Sequence, residues 1–155
     1  MNRRILTRGL AALAVIFLAA QLVPVDRVNP PVRGEVAAPA EVRAILRRAC
    51  YDCHSNEVRW PWYGRVAPVS WLLERDVREG RKEVNFSVFE QYPEKRQRRK
   101  WTEIPEQIQK DEMPPWFYVA VHGDARLSES DRAVLVQWAR EAGAAMGPRE
   151  SAPAP

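Results

Sequence analysis

The chain has 155 residues, with 24 lysines and arginines against 20 aspartates and glutamates, two cysteines and two histidines. That length points to one domain of ordinary size, and the formal charge of +4 is no nucleic-acid signature, since Arg3, Arg4 and Arg8 ahead of an apolar run account for most of it. Two cysteines exclude a disulfide-dense scaffold, and they leave too few ligands for a structural zinc site.

Met1 to Arg8 is a basic leader, and Gly9 to Val23 is apolar except for Gln21. A positive flank followed by about 15 apolar residues is the pattern read by the export machinery. With Ile5 and Leu6 counted, the stretch approaches the ~20 residues that a bilayer core requires. Residues 5–23 are therefore expected to anchor the chain in the cytoplasmic membrane. The alternative is a signal peptide cut near Ala19-Ala20, a position that Leu18 suits poorly. Either reading places the body on the periplasmic side. Residues 24–39, with Pro24, Pro30, Pro31, Pro39 and Gly34 and no apolar period, read as an extended tether.

From Ala40 the pattern changes. Val42, Ile45, Leu46 and Ala49 recur at helical spacing, with Arg43, Arg47 and Arg48 off that face. The helix runs directly into Cys50-Tyr51-Asp52-Cys53-His54. In C-x-x-C-H the two thiols are spaced to bond to the two vinyl groups of a haem while the next imidazole ligates its iron. Three plainer readings compete. A disulfide here closes a very small loop and stabilises little; a thioredoxin-like dithiol normally opens a helix within a βαβ pattern; half a zinc site needs further ligands, and only His122 remains. The export leader favours haem, with Cys50 and Cys53 as attachment points and His54 on the metal.

Asn56 to Arg65 is a loop by its Pro and Gly, yet it carries Trp60, Trp62 and Tyr63. These form either a wall against the porphyrin or a cluster closing the core, and Arg59 or Arg65 is within reach of a propionate or simply solvated. Pro68 opens a second helix, Val69 to Glu79, with Val69, Leu72, Leu73 and Val77 on one face and Gly80 as its stop. Asn85 caps a short apolar turn with Phe86, Val88, Phe89 and Tyr92, ended by Pro93. Residues 95–100 hold Lys95, Arg96, Arg98, Arg99 and Lys100, either a docking surface for an acidic redox partner or anionic headgroups, or a solvated helical face. The helix continues through Trp101, Ile104 and Ile108, with Pro105 kinking it or opening a new turn.

Asp111 to Tyr118 contains Pro114 and Pro115 and reads as a stiff extended loop headed by Met113. A thioether suits haem iron opposite a histidine and raises the potential toward that of an electron carrier, so Met113 is the candidate sixth ligand. It can equally be a core residue. His122, in a turn-like surface stretch, and Met146, beside Gly143 and Gly147, are weaker candidates, and an open sixth position is the remaining case. Trp116 and Phe117 join the aromatic wall. Ser128 to Asp131 begins a last helix with something close to a capping box, whose Ala133, Val134, Leu135, Val136, Trp138 and Ala139 should pack across the first helix. Residues 147–155 read as a disordered tail.

Taken together, Cys50-Tyr51-Asp52-Cys53-His54-Ser55-Asn56-Glu57, Arg59-Trp60-Pro61-Trp62-Tyr63, Ala67-Pro68-Val69-Ser70-Trp71 and Glu112-Met113-Pro114-Pro115-Trp116-Phe117-Tyr118 resemble the bacterial haem-binding domain family. That family is a cytochrome-c-like group with a single C-x-x-C-H, and the resemblance spans roughly residues 40–142. It implies an all-α, small cytochrome-c-like helical domain around one covalent haem c, here residues 40–146, with Cys50 and Cys53 as attachment points and His54 as proximal ligand. The sequence reading places a membrane segment, residues 1–23, ahead of that domain. The expected function is electron transfer to and from redox partner proteins. A haem enzyme or gas or peroxide sensor with an open sixth position, and a haem-free thiol–disulfide protein, are the alternatives. No acid/base dyad, phosphate loop or nucleophile–base pair argues for other catalysis.

Overall fold

The computed structural model describes residues 3–147, so Met1, Asn2 and the tail beyond Gly147 lie outside the described residues. Among the described residues the chain is all-α, with seven α-helices, three 3-10 turns and no strand. Helix α1 (Arg3–Ala20) buries none of its side chains. Its end is tied to the body through Gln21, whose side-chain carbonyl accepts from the Ala67 N–H at 2.9 Å and whose amide donates to the Ala67 C=O at 3.4 Å. No helix among the described residues is long and apolar enough to cross a membrane. Helix α1, at 18 residues, is about 27 Å long, and Arg3, Arg4 and Arg8 occupy its first turns.

Residues 24–39 form no helix, but they are not a free tether. Val36 is buried and its N–H donates to the Phe86 C=O at 2.8 Å, Arg33 N–H donates to the Ser87 C=O at 2.9 Å, and the Gly34 C=O accepts from Glu90 N–H at 3.0 Å. Asn56 and Asn29 add side-chain amide bonds to the carbonyls of Pro31 and Val58, each at 3.0 Å. An extended strap that buries one valine has no apolar period, so nothing in its local pattern distinguishes it from a linker.

The body then runs through α2 (Ala40–Ala49), α3 (Tyr51–His54), a 3-10 turn (Trp62–Arg65), α4 (Val69–Glu83), a second 3-10 turn (Phe86–Gln91), α5 (Glu94–Gln109), α6 (Trp116–Val121), a third short turn (Gly123–Ala125) and α7 (Glu129–Ala145). Helix α2 buries Val42, Ile45, Leu46 and Ala49, the face its spacing predicts. Asn85 caps the turn at Phe86, its side chain accepting from Ser87 N–H. Helix α5 is continuous, with Pro105 inside it and buried. The proline removes one backbone donor, and packing on α7 holds the helix together.

Helix α7 packs chiefly on α5 and less on α2, rather than simply across the first helix as its sequence suggests. The reason is aromatic. Trp101 of α5 lies 4.6 Å from Phe89 and meets Trp138 of α7 edge-on at 5.0 Å, ring centroid to centroid. Gly143 permits this approach, since a Cβ there would stand 3.1 Å from the Trp101 Cβ. The basic segment is largely spent inside the fold. Arg96 lies 3.9 Å over the Tyr92 ring and donates to the Lys82 C=O, Arg98 bonds the carbonyls of Met146 and Gly147, and buried Lys100 pairs with Glu83 and Glu103.

Candidate haem-attachment site

Cys50 caps the end of α2 and the start of α3: its N–H donates to the Leu46 C=O at 2.8 Å, and its C=O accepts from His54 N–H at 2.9 Å. The corner between α2 and α3 thus presents Cys50, Cys53 and His54 within one turn. Both cysteines are free and half-buried. Burial, and then the neighbouring Cys53, pushes the Cys50 thiol up to about 12. Burial, followed by Asp52 and Asp76, pushes Cys53 up to about 11. A dithiol enzyme needs the opposite shift, because the thiolate is its nucleophile.

The imidazole of His54 has a fixed tautomer. Nδ1 is 2.9 Å from the Gly80 C=O and 3.1 Å from the Val84 C=O. Carbonyls only accept, so Nδ1 carries the proton and Nε2 keeps its lone pair for a metal. Burial lowers the pKa of the ring despite these two carbonyls, which keeps the imidazole neutral.

Both carbonyls come from the end of α4, and Gly80 lets that helix approach. A Cβ at position 80 would lie 2.6 Å from the Cys53 carbonyl oxygen. Gly80 is therefore no helix stop; α4 runs through it to Glu83. Sequence reasoning missed its role, although a glycine embedded in a helical period was the available signal. The next residue, Arg81, donates to the carbonyls of Ser55 and Val28 and to Asn29 Oδ1, holding the strap over the same corner.

The other flank of the motif is polar and aromatic. The Asp52 carboxylate accepts from Arg59 N–H at 3.1 Å and from Tyr118 Oη at 2.9 Å. The Tyr118 ring stacks on His122 with centroids 4.2 Å apart, and Tyr63 Oη lies 2.9 Å from His122 Nε2. His122 Nδ1 is 3.2 Å from the Tyr118 C=O, so it is the donor there and Nε2 accepts from Tyr63. His122 is thus half-buried with both nitrogens engaged, not in a solvated turn, because α6 carries it between two tyrosines. The stiff extended chain expected as far as Tyr118 ends at Pro115, where α6 begins.

Trp60 is half-buried, and its Nε1 is buried with no partner among the described residues. Trp62 and Trp116 are 78% and 81% exposed, and Phe117 is exposed beside Trp116. Arg65 is exposed. Met113 is at the surface, its N–H bonded to the Gln107 C=O at 3.3 Å at the end of α5, while Met146 packs against the core.

A family model described as the haem-binding domain matches residues 15–141. The chain belongs to that family. Comparison with curated proteins and with solved structures gives no match. The match includes residues 24–39, as the docked strap would lead one to expect of an integral part of a haem-binding domain. The residues present fit the cofactor: a neutral imidazole with a free Nε2 beside two unoxidised thiols, and a buried indole N–H without a partner that suits a propionate carboxylate.

Proposed function

We propose that this haem-binding domain is a c-type cytochrome that passes single electrons between proteins at the periplasmic face of the cytoplasmic membrane. In this reading one haem would be held by thioethers from Cys50 and Cys53, and His54 Nε2 and Met113 would bind its iron. The observation that carries it is the His54 imidazole, whose Nδ1 is tied to the Gly80 and Val84 carbonyls directly beside both free thiols. When bound, haem supplies an iron that takes up and releases one electron without bond rearrangement.

The chain's own residues do the rest. The backbone of α4 orients the proximal imidazole. His122, occupied on both nitrogens by Tyr118 and Tyr63, is not free to displace a thioether. Trp60 Nε1 is a donor for a propionate. Export is supported by Arg3, Arg4 and Arg8 in the first turns of a helix whose remainder is apolar and that buries none of its side chains. Of the basic segment, Lys95 is exposed, and Arg99 is exposed but paired with Glu103 at 3.5 Å, so Lys95 is the charge most available to an acidic partner.

The test is the intact mass under denaturing conditions and the absorption spectrum of exported protein, wild type beside Met113→Ala. The expected wild type weighs one haem more than its polypeptide and has a weak red-end band in the ferric state that disappears in the variant. A mass equal to the polypeptide alone refutes covalent attachment.

A further inference from the structure

Met113 is bracketed by the fold on both sides. Its own N–H and that of Glu112 both bond to the Gln107 C=O, at 3.3 and 3.1 Å, which fixes the chain to the end of α5. On the other side Pro114 and Pro115 lead without a flexible residue into α6, so any displacement of α6 is passed to Met113. Helix α6 has only six residues and buries none of them. Its apolar packing is limited to half-buried side chains, chiefly Tyr118 against the core. What ties it to the C-x-x-C-H turn is polar: Tyr118 Oη donates to the Asp52 carboxylate at 2.9 Å, and His122, stacked on Tyr118, accepts from Tyr63 Oη at 2.9 Å.

We propose that Asp52, Tyr118, His122 and Tyr63 form a latch that holds the Met113 segment against the attachment turn, making Tyr118 and His122 positioning residues for the sixth iron position. The inference rests on the cytochrome reading above. Asp52 lies between the two attachment cysteines, so the latch is referenced to the same turn that carries the thioethers and the proximal histidine. A hydrogen bond to a carboxylate in a half-buried setting is among the stronger single polar contacts, and Asp52 has 15% of its side chain exposed. Arg59 N–H and Nε, 3.1 and 3.4 Å away, both lie on Oδ1 of the same carboxylate, which leaves Oδ2 to Tyr118.

The experiment titrates imidazole into exported, haem-loaded ferric protein and follows the red-end band and the Soret maximum. Wild type, Tyr118→Phe, Tyr63→Phe and Met113→Ala are compared. Removing one hydroxyl should favour the detached form of Met113 by about tenfold, so imidazole should bind Tyr118→Phe about tenfold more tightly, with a weaker red-end band and an unchanged haem mass increment. Tyr63→Phe should shift in the same direction by less, because its contact reaches Asp52 only through His122 and Tyr118. Far-UV circular dichroism identifies any variant that has lost its helices, and in that case Tyr63→Phe alone decides. Imidazole affinity in both tyrosine variants equal to wild type overturns the latch, as does a wild-type spectrum that Met113→Ala leaves unchanged. Absence of the haem mass increment in wild type instead overturns the cytochrome reading itself, so the two failures are distinguishable.

Discussion

Gly80 shows how little room surrounds His54. A methyl group at position 80 would stand 2.6 Å from the Cys53 carbonyl oxygen and 3.1 Å from its Cβ, and backbone cannot yield as the tip of a long side chain can. Gly80→Ala should therefore push α4 off the turn, at a cost of about 1–3 kcal/mol in stability, and pull the Gly80 carbonyl away from His54 Nδ1. Urea unfolding should record the first effect and a lower Soret-to-protein ratio the second. The thiols beside it are raised by burial, Cys50 to about 12 and Cys53 to about 11, so at neutral pH they are protonated and slow in disulfide exchange. At this scale the candidate site was legible: C-x-x-C-H picks out Cys50, Cys53 and His54 by spacing, and the fold presents them within one turn. Gly80 was misread as a stop because a helix-ending glycine and a helix-contact glycine look alike until the neighbouring element is known.

Among the elements, α7 is set by its first turn. Ser128 accepts from Asp131 N–H at 3.1 Å, the Asp131 carboxylate accepts from Ser128 N–H at 2.8 Å, and Arg48 at the end of α2 pairs with that carboxylate at 2.6 Å. Burial works to raise the Asp131 pKa, but Arg48 and Ser128 outweigh it and hold the group at about 2, below the usual 3.8. The folded state thus favours the carboxylate. Its stabilisation is complete above pH 3.8 and is lost as pH falls through about 2. Asp131→Asn should cost about 0.5–2 kcal/mol at pH 7, with a lower Tm by circular dichroism, and the difference from wild type should shrink below pH 4 and close near pH 2. Both this cap and the buried face of α2 could be read from sequence, since each depends on residues within two turns of each other. The packing choice of α7 could not. Trp138 is apolar toward either helix, and the edge-on fit to Trp101 past Gly143 selects α5.

For the molecule as a whole, the consequential finding is that the body begins before its first buried helix. A chain starting at Ala40 would lose the burial of Val36, about 1.5–3 kcal/mol, together with the backbone bonds of Arg33, Gly34 and Val36 to the turn at residues 86–90. It should be less stable than a chain starting at Pro24 by about 3 kcal/mol or more in urea unfolding. Equal stability of the two would return residues 24–39 to the status of a linker. By itself the sequence determined the all-α class, the C-x-x-C-H spacing and the buried faces of α2 and α7, because periodicity and short spacing report directly on which residues share a face. On α4, by contrast, Val69 and Leu72, expected on one apolar face with Val77, are exposed, and only Val77 of that set is buried. Only the tertiary structure decided the tautomer of His54, whose acceptors are 26 and 30 residues away, the embrace of His122 by Tyr63 and Tyr118, and the docking of the strap. Each of these is a polar contact between distant segments. The partner of a hydrogen-bonding group is whichever remote backbone or side chain the packing delivers, and no local pattern encodes that delivery.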